Sequence, residues 1–379
     1  MGRICLCAIL LCTLLIAPAT AVADESPPLI EPGDQRDLCT KSYQLAHPGE
    51  CPLEGPGGYV EQRYRYELPF DLPPLEVLPF EPVKAIGHVY AKVVTADAPV
   101  FASPEEGVAG VVKRTIRKGF IYVSYGKTVT VNGQEFTRIN GDEYMRSSDL
   151  ASVTPSNFHG LELAGQPQRP FAWVVRKFTP RPAPDVKALK GTPPLQRYDI
   201  VQIYAKAHAG EYDWYLVGPN QWVEQRNLSL VEVIPPPEGV NGKWIAVNLF
   251  EQTLAAYEGK RMIYASLVSS GLGAWPTRPG TFQIYSKLTE TKMSGAYARD
   301  KSDFYYLEDV PWTMYFDQSI ALHGAYWHDG YGFRKSHGCV NLSPADSIWL
   351  YNWAEIGTTV HVYDPSGETP TNLPAGGGP

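Results

Sequence analysis

The sequence lacks a second long apolar run. Beyond Ala17 no stretch is long and apolar enough to cross a bilayer as a helix. It is short of positive charge: 33 Lys and Arg stand against 40 Asp and Glu, a net charge of −7. That argues against a general nucleic-acid or anionic-membrane binder. It has no Cys-x-x-Cys and no His-Glu-x-x-His, the paired spacings of zinc sites. Cysteine is sparse, with six in 379 residues. Proline and glycine are plentiful, 34 of each. Such a chain is rich in turns, linkers and β-modules. Its length suits two or three domains.

The first residues read as a signal peptide. Arg3 precedes an apolar run from Ile4 to Ala17, and Ala21-Val22-Ala23 offers a small-x-small cleavage site before Asp24. Removing residues 1–23 takes away Arg3 and no acid, which lowers the net charge to −8. The expected destination is the cell envelope or the exterior, with no membrane attachment after cleavage. Three cysteines then remain: Cys39, Cys51 and Cys339. The export route is oxidising. A Cys39–Cys51 disulfide would close a small loop and contribute about 3 kcal/mol in the chain-entropy model. Cys339 is left odd, as a free thiol or an intermolecular partner.

Composition divides the rest. Residues 24–85 form a linker-like segment with eleven prolines from Pro27 to Pro82. Residues 86–165 alternate β-branched and aromatic residues with polar ones, and "VNGQ" (Val131–Gln134) signals a hairpin. Residues 166–236 repeat that pattern: "QWVEQRNLSLVEV" echoes "EYMRSSDLASV". Two small β-barrels are predicted, and they resemble bacterial SH3-like modules, a fold used to position enzymes on cell walls. "IPPPEG" (Ile234–Gly239) is a hinge to a third domain, residues 240–364. That domain holds one clear helix. Ser343 caps it, Pro344 opens it, Ala345, Ile348, Trp349 and Trp353 share its predicted apolar face, and Gly357 ends it. Residues 365–379 read as a disordered tail.

The chemistry concentrates in "RKSHGCVNLSPAD" (residues 334–346) and in "LHG" (Leu322, His323, Gly324). A thiol attacks a carbonyl only as thiolate, so it needs a base. His323, ending a strand, can deprotonate Cys339. The Gly324 carbonyl can fix the His323 tautomer. Gly338 allows close backbone approach, and its N–H with that of Cys339 can form an oxyanion hole. His337 can donate a further hydrogen bond or hold the loop. Zinc is the competing reading, since His323, His328, His337 and Cys339 fall within 17 residues, but no ligand spacing supports it.

"LHG…SHGCVNL" resembles the signature of the L,D-transpeptidase catalytic domain of bacterial enzymes that cross-link peptidoglycan. The matching residues are His323, Gly324, Ser336, His337, Gly338, Cys339, Val340 and Asn341. "SSGLGAWPTRPGTFQI" (Ser269–Ile284) looks like a second segment of that family. The resemblance spans about residues 241–364. It implies a mainly β fold, a β-sandwich with a mixed sheet and one helix. It implies Cys339 as nucleophile, His323 as base, and His337, Gly338 and Cys339 around the oxyanion. Asn341 would bind substrate. Ser319, Tyr305 and Tyr306 are expected to line the donor pocket from their position relative to His323. The implied partners are peptidoglycan stem peptides, a tetrapeptide donor and an amine acceptor, with no metal or other cofactor. The implied reaction is a 3→3 cross-link through a thioester. Water as acceptor would make an L,D-carboxypeptidase, and a chain with an inactive site would be a wall-binding protein.

Overall fold

The computed structural model describes residues 74–372 apart from Tyr297. The predicted leader, the Cys39–Cys51 pair and part of the tail lie outside them. From Val89 the chain forms β1 (Val89–Val93), β2 (Ala98–Val100), α1 (Pro104–Ala109), β3 (Arg114–Ile116), β4 (Phe120–Val131), β5 (Gln134–Ile139), β6 (Glu143–Arg146) and β7 (Leu150–Val153). Asn132 and Gly133 have φ of 50° and 78°. Both are left-handed, as the two-residue turn between β4 and β5 requires. Next come β8 (Leu161–Glu162), β9 (Phe171–Val174), β10 (Ile200–Gln202), β11 (Ala205–Ala209), β12 (Tyr212–Gly218), β13 (Gln221–Glu224) and β14 (Leu228–Val231). The sequence echo has a structural counterpart. β6 and β7 are joined by a three-residue 3-10 turn, Ser147–Asp149, and β13 and β14 by another, Gln225–Asn227.

The last stretch gives β15 (Lys243–Asn248), β16 (Thr253–Glu258), β17 (Arg261–Leu267), β18 (Gly280–Gln283), β19 (Ser286–Gly295), β20 (Tyr305–Asp317), β21 (Ile320–Gly324), β22 (Val340–Leu342), α2 (Pro344–Trp353) and β23 (Thr359–Tyr363). Six strands form one sheet in the order β18-β23-β15-β16-β17-β8. It is mixed, because β15 and β23 run parallel. β20, β21 and β22 belong to a second, nine-stranded sheet. Ile245, Val247, Leu254 and Val360 of the first sheet meet Met314, Phe316, Leu322, Val340 and Leu342 of the second, with Leu350 of α2. The fold is mainly β, as expected.

The strands are shared across the predicted modules. β4 pairs in parallel with β20, Phe120 opposite Tyr305 and Leu307 opposite Tyr122. β8 pairs with β17. Phe171 and Trp173 of β9 enter one core with Trp244 and Tyr257. The proline-rich segment is also docked where it is described: Val77 bridges Leu163, and Phe80 stacks on His159 with centroids 3.7 Å apart.

The helix begins as predicted. The Ser343 hydroxyl accepts from the Asp346 N–H at 3.0 Å, with Pro344 in the first position. It ends at Trp353, before Gly357. Its buried face is also a different one: Pro344, Asp346, Ser347 and Leu350 are buried, whereas Ala345, Ile348, Trp349 and Trp353 are half-buried. Where this face meets β21, Ser347 lies against Gly324, a close approach that only small side chains permit. Trp349 lies on the flank, stacked on Tyr264 at 3.8 Å.

Asp346 ties three parts of the chain together. It is fully buried, and its Oδ1 accepts from the Gly160 N–H at 2.6 Å and the Tyr264 hydroxyl at 2.7 Å. Its Oδ2 accepts from the Ser266 hydroxyl at 2.5 Å. Asp346→Ala would strand two donors, the Gly160 N–H and the Tyr264 hydroxyl, while the Ser266 hydroxyl can turn to the Leu267 carbonyl oxygen 3.0 Å away; it is expected to lower stability by about 3 kcal/mol, read from urea unfolding. A loss under about 1 kcal/mol would show that the network contributes little.

Candidate active site

β21 and β22 run in parallel, with Leu322 opposite Val340 and His323 opposite Asn341. Side chains alternate along strands. Leu322, Val340 and Leu342 point to the core, so His323 and Asn341 point the other way. Cys339, one residue before β22, shares their face. All three line a cleft of about 1090 Å³. Gly324 makes the strand fit beneath α2. A Cβ there would lie 2.6 Å from Ser347 Oγ and 2.9 Å from Pro311 Cγ.

His323 is buried, and its Nδ1 lies 3.2 Å from the Gly324 carbonyl oxygen. A carbonyl only accepts, so Nδ1 carries the proton and Nε2 keeps its lone pair. Burial pushes the His323 pKa down to about 4, against a smaller opposing effect of the Gly324 bond. Burial also pushes the Cys339 thiol up to about 11. The resting pair is therefore a neutral imidazole and a neutral thiol. Cys339 is a free cysteine, with Sγ 3.9 Å from the Ser319 carbonyl oxygen.

The Cys339 loop is held internally. Gly338 has φ of 118°, a conformation open to glycine. Its carbonyl accepts from the Thr277 hydroxyl at 2.7 Å. Its N–H donates to Ser336 Oγ at 3.1 Å, and that hydroxyl donates to the Cys339 carbonyl at 2.5 Å. In this structure the Gly338 N–H is engaged by Ser336 Oγ. Ser336 braces the turn. Ser269 closes the other side, exchanging two 2.9 Å backbone bonds with Asn341.

His337 forms an aromatic wall with Trp275 and Tyr305, at centroid distances of 4.2 and 5.4 Å. Burial holds its pKa below the ordinary histidine value. Ser319 and Tyr305 line the cleft as expected. Tyr306 does not. Neighbours on a strand face opposite ways, and Tyr306 packs on the Ile121 and Val123 core, its hydroxyl donating to Glu308 Oε1 at 3.0 Å.

Several cleft residues escaped the sequence reading. Asp97, Arg117, Lys118 and Phe120 come from the stretch 86–165 that was expected to form a separate β-module. Only the β4–β20 pairing brings them there, and no local pattern encodes it. Trp327 also lines the cleft, as does His328, which the sequence reading weighed only as a zinc ligand. Arg278, in the segment after Ser269, holds Asp317 by two bonds of 3.1 and 2.7 Å. The cleft histidines and Cys339 do not converge as ligands. Among the described residues the group that does is His88, Glu290 and Asp309, and Glu290 is already paired with His88 at 3.1 Å.

Residues 242–362 match the YkuD family, the L,D-transpeptidase catalytic domain. The chain is 31% identical over 120 residues to YciB of Bacillus subtilis (strain 168), provisionally assigned as an L,D-transpeptidase, covering 28% of this chain and 59% of that protein. It is 31% identical to a solved L,D-transpeptidase of Stackebrandtia nassauensis, covering 36% of this chain and 60% of that one, with a TM-score of 0.27. It is 25% identical to the catalytic domain of an E. faecium L,D-transpeptidase, covering 33% of this chain and 99% of that one, with a TM-score of 0.30. The chain thus spans about three fifths of the first two relatives. Residues 242–362 are similar throughout to a catalytic domain of this kind.

The neutral resting pair gives a measurable expectation. Iodoacetamide alkylation of Cys339, followed on its own peptide by mass spectrometry, should rise about tenfold per pH unit from pH 7 to 10. A plateau below pH 8 would instead reveal a thiolate already present.

Proposed function

We propose that this protein is a cysteine L,D-transpeptidase of the bacterial cell envelope. The observation that carries the reading is the β21–β22 register, which brings a free cysteine and a buried histidine with a fixed tautomer to one face of one cleft. The match of residues 242–362 supports the reaction class.

In the proposed reaction, His323 Nε2 takes the Cys339 proton as Sγ adds to the carbonyl of the third stem residue. The tetrahedral adduct collapses, its C–N bond breaks, and terminal D-Ala leaves with the proton from His323. The product is a thioester on Cys339. An acceptor amine then attacks, passes its proton through His323, and displaces the thiolate, giving a 3→3 cross-link. Proton transfer coupled to attack suits the resting pair, because a free thiolate is costly in this half-buried setting.

The His337, Trp275 and Tyr305 wall would hold the donor peptide. The two β-modules would be SH3-like, wall-facing units of a secreted protein. The first has a second part: Arg117, Lys118 and Phe120 form cleft wall, so it would contact the same substrate.

Incubating residues 24–379 with a disaccharide tetrapeptide should give a dimer lighter by one D-Ala than two monomers. Cys339→Ala should give none. Tripeptide without dimer would make the enzyme an L,D-carboxypeptidase. No product from folded wild-type protein would favour a non-catalytic wall binder.

A further inference from the structure

The cleft is more basic than the chain that forms it. The protein has a net charge of −7, yet five cations and only three carboxylates line the cleft. Three of the cations are already placed. Arg334 donates to the Leu249 carbonyl at 3.2 Å and to Asp364 Oδ2 at 3.5 Å. Lys335 lies over Gly330, whose N–H donates to His328. Lys301 shares its loop with Asp300 and Asp303.

Arg117 and Lys118 are the other two. They form the turn between β3 and β4, and both are exposed. Just before them, Lys113 and Arg114 pair with Glu143 at 3.1 and 2.5 Å. Arg117 and Lys118 have no such carboxylate among the described residues. An exposed cation commonly needs no partner, but this turn is built into the cleft wall. The Phe120 N–H donates to the Phe304 carbonyl at 2.9 Å, and Phe120 stands opposite Tyr305 in the ladder. Gly119 makes that contact possible, since a Cβ there would lie 2.5 Å from the Phe304 carbonyl oxygen. Tyr305 in turn faces His337 at a centroid distance of 5.4 Å. The two cations are thus held at the end of the aromatic wall, with their charged heads open to a ligand in the cleft.

We propose that Arg117 and Lys118 form an anion subsite of the cleft, and that this subsite holds a carboxylate of a stem peptide. A guanidinium presents a planar fork to a carboxylate, and an ammonium adds a point charge. The pair binds the peptide away from the sulfur. It acts on which peptides are accepted, not on the bond that forms. The carboxylate belongs to the acyl donor or to the acceptor, and the step that it affects tells which. The inference rests on reading the cleft as a stem-peptide site.

The test compares Arg117→Gln/Lys118→Gln, which removes both charges, with Arg117→Lys/Lys118→Arg, which keeps both. Binding of the disaccharide tetrapeptide is measured by calorimetry in a Cys339→Ala parent, so that no turnover is needed. The Gln pair should raise Kd roughly tenfold, as for one lost charge-assisted hydrogen bond. The Lys/Arg swap should recover most of that loss. A tetrapeptide amidated at its carboxylates should bind the parent and the Gln pair alike. With Cys339 in place, slower acylation in the Gln pair marks a donor carboxylate. Unchanged acylation with less dimer per tripeptide marks an acceptor carboxylate. Tm and iodoacetamide alkylation of Cys339 should stay as in wild type, because both side chains are exposed.

An unchanged Kd in the Gln pair would overturn the inference, as would no measurable binding to the parent. So would equal losses in the Gln pair and the swap, or a loss that persists with the amidated peptide. Wild-type protein that is never acylated would instead overturn the reading of Cys339, and a charge-dependent Kd would then leave the subsite standing.

Discussion

The site depends on one parallel ladder. β21 and β22 set His323 opposite Asn341, and Cys339 precedes the ladder by one residue. A slip of one residue would turn Cys339 and Asn341 into the core and bring Val340 into the cleft. The register is held from both sides. Leu322, Val340 and Leu342 are fully buried between the sheets. Ser269 exchanges backbone bonds with Asn341 on the outer edge. α2 starts directly after β22 and packs on Gly324, so its Ser343 cap and Asp346 network act on the strands that carry the chemistry.

Burial then sets the protonation states. A buried imidazole resists charge, and so does a half-buried thiol, for the same solvation reason. The pair therefore rests neutral. The backbone decides which nitrogen acts: the Gly324 carbonyl selects Nδ1–H on His323, and the Gly330 N–H selects Nε2–H on His328. Two histidines in one cleft are thereby held in opposite tautomers.

Local signals were legible in the sequence and long-range ones were not. Cys339, His323 and the Gly324 carbonyl were readable because the motif is short and each residue has a chemical reason. The Asn132-Gly133 turn and the Ser343 cap were readable because they are set by adjacent residues. Tyr306 failed on strand parity, which cannot be fixed before the register is known. The helix face failed because Asp346 and Ser347 are buried polar residues, which an apolar period does not count. The share of the cleft from Arg117 and Lys118 was invisible because β4 meets β20 across a long sequence separation. At Gly338 the residue type speaks for close approach, whereas the direction of its N–H is set by Ser336 Oγ, which residue type alone does not give.

The account stands on a covalent intermediate at one sulfur. The direct measurement is intact-protein mass spectrometry during turnover of the disaccharide tetrapeptide, followed by peptide mapping. The account predicts an adduct of the substrate minus D-Ala on Cys339, released by hydroxylamine as a thioester and absent in Cys339→Ala. Product formed without that adduct in rapid-quench samples, or an adduct on any other residue, would contradict it.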